Sequence, residues 1–214
     1  MPPFLAERIE AQRRTMTEEV RVAYERAVAE LAAGGVGAMA LAVGERFPDI
    51  VLPNAEGELV AISDLWSSGP VVVTFFRGIW CPYCRLMLDA LVAALPAIEA
   101  AGASLVGITP ETGGLALTTK RNHGAAFEVL SDVDCGLGLD CGVVFRTPDI
   151  YRMLLLKYGG DLAPRHGNDA WFLPLPAVFV LERGGIVRWR FLSVDFTDQA
   201  EPDAILAALQ TLVR

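Results

Sequence analysis

The stretch Val71-Val-Val-Thr-Phe-Phe76-Arg-Gly-Ile-Trp-Cys81-Pro-Tyr-Cys84-Arg85 decides how the chain folds. Val71–Phe76 is apolar and rich in β-branched and aromatic residues, the pattern of a central strand buried on both faces. Such a strand delivers Cys81 to its carboxyl end. Pro82 follows at once and suits the first turn of a helix, where no amide donor is required of it. The unpaired amides and the positive dipole end of that helix stabilise a thiolate, and Arg77 and Arg85 can add positive charge. Cys81 is therefore expected to be acidic and nucleophilic. Cys84 lies one turn further, with its sulfur turned inward and less exposed, and a three-residue helical offset allows the ~4.4–6.8 Å Cα separation of a disulfide. Cys81 is assigned the attack and Cys84 its resolution.

Two other uses of a Cys-x-x-Cys pair stay open at this point. A structural zinc site needs two further ligands, and Cys135 and Cys141 stand six apart instead of forming a second Cys-x-x-Cys; no metal is expected. An inert core pair is the other alternative, although it is commoner for scattered thiols than for Trp80-Cys-Pro-x-Cys at a strand-to-helix junction. Cys135 and Cys141 themselves, if they share one helix, lie ~9 Å apart along its axis, too far for a bond. They are expected to pack in the core. His123 and His166 have no motif around them and are expected in loops or at the surface.

Outward from this stretch, strand-like and helix-like segments alternate. Helices are expected over Pro82–Ala101, Gly114–His123, near Asp132–Cys141 and over Pro202–Val213. Strands are expected at Ser104–Thr109 and Phe127–Ser131, and a hairpin joins Ala177–Glu182 to Ile186–Phe191 around Arg183-Gly-Gly185. Two short strands flank Asn54–Gly57. This order predicts an α/β fold with a central mixed sheet flanked by helices. Arg146–Trp171 interrupts it as a long loop carrying Tyr151, Arg152, Arg165, His166 and Trp171, either lining a site or forming a surface insertion. Before the sheet, Phe4–Ala33 is expected to be one long amphipathic helix ended by Gly34, Gly35 and Gly37, and it must cover its apolar stripe with its own domain or with a second copy in a homodimer.

The whole chain has 214 residues, 53% of them hydrophobic, with 18 basic and 26 acidic side chains and a net charge of −8. One large domain with an appendage accounts for that length: a helical extension over 1–43 and a redox domain over 44–214. The acidic balance argues against nucleic acid or an anionic membrane as partner. The apolar runs are too short to span a bilayer. Glu7 and Glu10 stand where a secretory signal would be apolar, so a reducing cytoplasm is the expected compartment.

With these motifs in order, the chain resembles the thioredoxin-like superfamily, and within it peroxiredoxin-like proteins of the alkyl hydroperoxide reductase/thiol-specific antioxidant type. The resemblance is carried by Gly44-Glu-Arg-Phe-Pro48-Asp, Gly57–Leu65, Cys81-Pro-Tyr-Cys84, Ile108-Thr-Pro110, Leu130-Ser-Asp132 and Leu173-Pro-Leu-Pro176-Ala-Val-Phe-Val. It implies a thioredoxin-like fold and a thiol oxidoreductase without bound cofactor. Peroxide or disulfide would be the substrate, and a thioredoxin- or glutaredoxin-type dithiol the reductant. Cys81 and Cys84 would be the catalytic pair, supported by Arg77, Trp80, Pro82 and Tyr83. A redox-sensing module is the non-enzymatic alternative. Pro176 matches the proline that thioredoxin folds hold as a cis peptide, which would turn the Leu175 backbone towards the thiols for an extended substrate to pair with.

The departures are as specific. Peroxiredoxins place a proline seven residues before the attacking cysteine, a threonine three before it, and an arginine ahead of the later strand; here Thr74, Gly78 and Pro176 stand at those places. The resemblance then requires other donors for the O–O bond, with Arg77 and Arg152 available. Thioredoxins carry a buried aspartate six residues before the first cysteine. Here that residue is Phe75, which leaves the proton-handling group for Cys84 unassigned.

Overall fold

In a computed structural model, which describes residues 4–212, the chain starts with two helices, α1 (Leu5–Arg13) and α2 (Glu18–Ala33). There follow β1 (Val51–Pro53), β2 (Leu59–Ala61), α3 (Ile62–Ser68), β3 (Val71–Phe75), α4 (Pro82–Ala100), β4 (Ser104–Thr109), α5 (Leu115–His123) and β5 (Glu128–Ser131). The rest comprises α6 (Gly136–Asp140), β6 (Val144–Arg146), α7 (Asp149–Lys157), α8 (Ala163–His166), β7 (Phe172–Pro174), β8 (Ala177–Leu181), β9 (Val187–Leu192) and α9 (Pro202–Leu212). Val213, given to the last helix by the sequence, lies outside the described residues.

The main sheet has the order β5-β4-β3-β8-β9. β3 runs parallel to β4 and antiparallel to β8, so the mixed central sheet is as expected. Every residue of β3 is buried because helices cover both faces of the sheet. Val72 turns to one core, which holds Cys81, Cys84 and the apolar side of α4; Val71, Val73 and Phe75 turn to the other, with Phe47 and Phe179. The two-residue side-chain period of a strand divides a run that reads as uniformly apolar.

Four expectations are corrected. The leading helix is broken: Thr17 takes an extended conformation and caps α2, its hydroxyl accepting the Val20 amide at 3.4 Å. Both pieces dock on their own chain. Leu5 and Ile9 of α1 join the core around Cys81 and Cys84, while Ala23, Ala27 and Leu31 of α2 pack with Tyr151 and Leu154 of α7. Secondly, Arg146–Trp171 is not one long loop but carries two helices, α7 and α8, and α7 presents an apolar face to α2. Thirdly, the segment before Cys141 is not one helix. Asp134 and Cys135 take left-handed φ of 62° and 58°, so α6 is short and the two cysteines flank it as its caps. Finally, no cis peptide occurs among the described residues; the Leu175–Pro176 bond is trans, and the Leu175 amide donates to the Val143 carbonyl at 2.7 Å. That amide is committed to the fold and does not face a substrate.

Candidate functional site

β3 ends at Phe75, and Phe76–Trp80 turn the chain into α4 with Cys81 as its N-cap and Pro82 in the first turn. An N-cap side chain normally supplies an oxygen to the free amides of the first turn. Here it is the Cys81 sulfur, which accepts the Cys84 amide at 3.3 Å. The Arg77 guanidinium supplies a second donor, Nη2 to Sγ at 3.0 Å. Burial alone would push the Cys81 thiol up; the Cys84 thiol and amide and the charge of Arg77 outweigh it, and its pKa falls to about 6. Cys84 moves the opposite way, well above its ordinary value, through burial and then the neighbouring Cys81. One member of the pair is thus a thiolate at neutral pH and the other keeps its proton. Both are free thiols.

The difference in exposure expected between them is absent: Cys81 is 0% and Cys84 3% accessible. Arg77 touches the Cys81 sulfur and lines the neighbouring cavity, of which neither cysteine is a wall. Only 2% exposed, the arginine lies with its guanidinium carbon 4.6 Å from the Phe196 ring centroid and 5.2 Å from that of Trp80. Nη1 donates to the Tyr151 hydroxyl at 3.4 Å and Nη2 to the Phe196 carbonyl at 3.5 Å, while the buried Nε has no hydrogen-bond partner. The Trp80 indole holds the turn by donating to the Arg77 carbonyl at 3.1 Å.

A cavity of about 480 Å³ opens beside this arginine. Trp80, Pro82 and Tyr83 line it with Arg77, so four of the five supporting residues named from the sequence share one space. Pro176 is not among its walls. Met16 from the link between the first two helices and Val20 and Tyr24 of α2 form one side, and Tyr151, Leu154 and Leu155 of α7 with Phe196 form the other. The lining is mostly apolar. Arg13 binds Asp195, Thr197 and Asp198, and Tyr24 donates to Asp195, which fastens the amino-terminal helices to the turn that carries Phe196.

The other named residues go elsewhere. Arg85 is exposed at the surface of α4 and is not among the groups that lower the Cys81 pKa. Arg152 lies 4.7 Å from the Trp171 ring centroid and 3.7 Å from Asp169, so it does not substitute for the missing arginine. Cys135 is pushed up to about 12 and Cys141 higher still, by burial and then by neighbouring aspartates. His166 is buried, contrary to expectation, and is pushed down to about 4. His123 meets Asp89 at 2.7 Å. Among the described residues no three His, Cys, Asp or Glu side chains gather as a metal site.

Tyr151, Phe196 and Glu111 were not assigned to the site from the sequence. Tyr151 could have been singled out in the interrupting segment, whereas Phe196 gives no local signal. Glu111 directly follows Ile108-Thr-Pro110 at the end of β4, and its Oε2 accepts the Ile79 amide at 3.0 Å. It also accounts for Gly78 standing where a threonine is usual. With φ at 133°, a Cβ at Gly78 would lie 2.5 Å from the Glu111 carboxyl.

Known proteins share this fold. A peroxidoxin, BcpB, from Mycobacterium tuberculosis superposes with a TM-score of 0.62 at 21% identity, covering 79% of this chain and 97% of that one. The peroxiredoxin 6 of Arenicola marina gives 0.63 at 15% identity, over 81% and 74%. These likenesses establish the thioredoxin-like fold seen in peroxiredoxins. In sequence, a prostamide/prostaglandin F synthase of Salmo salar is 38% identical over 65 residues, which is 30% of this chain and 32% of that protein. A Mycobacterium tuberculosis H37Rv protein that carries the name of a peroxiredoxin is 30% identical over 94 residues, 44% of this chain and 59% of that one. The chain thus spans about a third to three fifths of the curated relatives it matches. The AhpC/TSA family model matches residues 43–190, from the entry to β1 through the cysteine turn and into β9, and on that match the chain belongs to the AhpC/TSA family.

Proposed function

We propose that this chain is a thiol-dependent peroxidase. The carrying observation is the Cys81 sulfur, a thiolate at neutral pH between the Arg77 guanidinium at 3.0 Å and the first amides of α4. The thiolate attacks one peroxide oxygen, an S–O bond forms as the O–O bond breaks, and the second oxygen leaves as an alcohol or water after taking up a proton. Arg77 has donors to spare for the charge that develops on that oxygen. Cys84 then attacks the sulfenic sulfur, water leaves, and a Cys81–Cys84 disulfide remains. A thioredoxin- or glutaredoxin-type dithiol returns both to thiols by exchange. The cytoplasm, where such dithiols are kept reduced, is the compartment this cycle calls for.

The apolar cavity favours organic hydroperoxides over hydrogen peroxide, and residues 1–43 act in this scheme as an extension that walls the site of the 44–214 domain. Turnover with hydrogen peroxide, cumene hydroperoxide and a disulfide, each with a dithiol reductant, tests the proposal. Consumption of the organic hydroperoxide with the highest kcat/KM is expected. Faster turnover of the disulfide would make the chain an exchange enzyme, and Cys81–Cys84 oxidation without turnover on any of the three would make it a sensor.

A further inference from the structure

Glu111 is fully buried at the carboxyl end of β4, and the peroxidase cycle above makes no use of it. One carboxyl oxygen is bound by the Ile79 amide, in the middle of the Arg77–Cys81 turn. The other, Oε1, has no hydrogen-bond partner and is packed against Gly78, so close that only a glycine fits there. A buried carboxyl held by one amide is half satisfied, and its ionised form carries most of the desolvation cost. The polar and titratable groups that face it come from three elements. They are Cys81 at the start of α4, Arg165 on α8, and Thr119 of α5, whose buried hydroxyl approaches without closing a hydrogen bond of good geometry. Burial and then the Cys81 charge drive its pKa up, to about 7, against the Ile79 amide and Arg165. Cys81 in turn faces Arg77, Cys84 and Tyr151.

We propose that Glu111 is a positioning residue: it anchors the Arg77–Cys81 turn through the Ile79 amide, and its proton state sets the charge against which the Cys81 thiolate forms. The two functions separate chemically. Anchoring needs only an acceptor oxygen, which glutamine also has. The electrostatic coupling needs a group that ionises, because two negative charges in a dry site oppose one another and titrate as a pair. As pH rises, the thiolate appears first and Glu111 still carries its proton; further on, ionisation of Glu111 makes the thiolate harder to hold. The proposal rests on Cys81 as the attacking thiol, but its test requires no peroxide.

The test is the rate of Cys81 alkylation by iodoacetamide against pH, followed site by site in mass spectra, for the wild type, Glu111→Gln and Glu111→Ala. The wild-type curve should be broader than a single-site titration, which by itself takes about two pH units from one tenth to nine tenths ionised. Glu111→Gln should give a single sharper inflection, about one pH unit lower. Glu111→Ala should lose the anchor as well, so that its inflection rises towards an ordinary thiol and Arg77 no longer holds the sulfur. A Glu111→Gln curve superimposable on the wild type would overturn the coupling. Equal curves for Glu111→Gln and Glu111→Ala would overturn the anchoring. Because glutamine preserves the acceptor and the size of the side chain, the first comparison stands even if the alanine variant does not fold. A chain inactive on every peroxide could still pass both.

Discussion

Cys81 and Cys141 are equally sealed from solvent, each 0% accessible, yet burial leaves one a thiolate at neutral pH and the other a thiol far into the alkaline range. The neighbours make the difference. Cys81 has Arg77 at 3.0 Å and the free amides of α4, whereas Cys141 and Cys135 have Asp132 in common, with Asp140 and Asp134 beside them. Desolvation disfavours either charge, and at Cys81 the Cys84 thiol and amide together with the Arg77 guanidinium reverse that penalty.

The comparison breaks most decisively at the sulfur itself. Cys81→Ser should abolish peroxide turnover, while Cys135→Ala and Cys141→Ala should each keep it within about twofold at a temperature where the variants stay folded, since neither sulfur ionises near neutral pH. Activity surviving in Cys81→Ser would refute the assignment of roles. Cys84→Ser should stop the cycle after one oxidation, with a sulfenic acid on Cys81 that dimedone captures.

Removing the cation should turn the first pair into something like the second. In Arg77→Met the bulk is retained and the charge lost, so the Cys81 inflection should move up towards the ordinary thiol range. Alkylation at pH 7 should then slow by roughly tenfold or more. An unchanged pH profile would shift the credit to the helix start alone.

A stability measurement sharpens the contrast further. Glu111 holds its proton to about pH 7 in the folded chain and to about 4.5 when unfolded, so the unfolded state releases the proton first and folding loses stability as pH rises through that window. Glu111→Gln removes the penalty. Relative to the wild type it should be more stable at pH 8 than at pH 4, by at most roughly 3 kcal/mol. Thermal melts at the two pH values should then differ between the proteins by several degrees, and equal melting curves at pH 8 would place Glu111 in a wetter site than the structure shows. Smallest of all, Tyr24→Phe, which loses the hydroxyl's hydrogen bonds with Asp195 and Thr197, should cost on the order of 1 kcal/mol and change kcat/KM for hydrogen peroxide little.

The strand-to-helix junction and the placement of Cys81 at the helix start were legible in the sequence because both depend on neighbours in the chain: β-branched residues, then Cys-Pro, then a helical period. The sheet was legible for the same reason. What was not legible depends on residues far apart. Tyr151 and Phe196 reach Arg77 across 74 and 119 positions, and no local pattern announces such a contact. The break in the first helix turns on Thr17 preferring a cap to a helical interior, which periodicity does not register. The commitment of the Leu175 amide to the Val143 carbonyl again involves a partner remote in sequence.

The docking of α1 has a consequence for synthesis. Glu201 accepts the Leu5 and Ala6 amides across 196 and 195 positions, and Arg13 reaches residues 195–198. Contacts so distant along the chain can close only after the ribosome has made nearly all of it, and their loop-closure cost delays them further. The strands around Cys81 can pair earlier. For that interval the cysteine turn lacks the cover of α1 and the carboxyl-terminal turn with Phe196, and a nascent chain that meets an oxidant is open to modification at Cys81 before its cavity exists. An oxidant pulse during translation should therefore mark Cys81 far more heavily than the same pulse given to the finished protein without substrate.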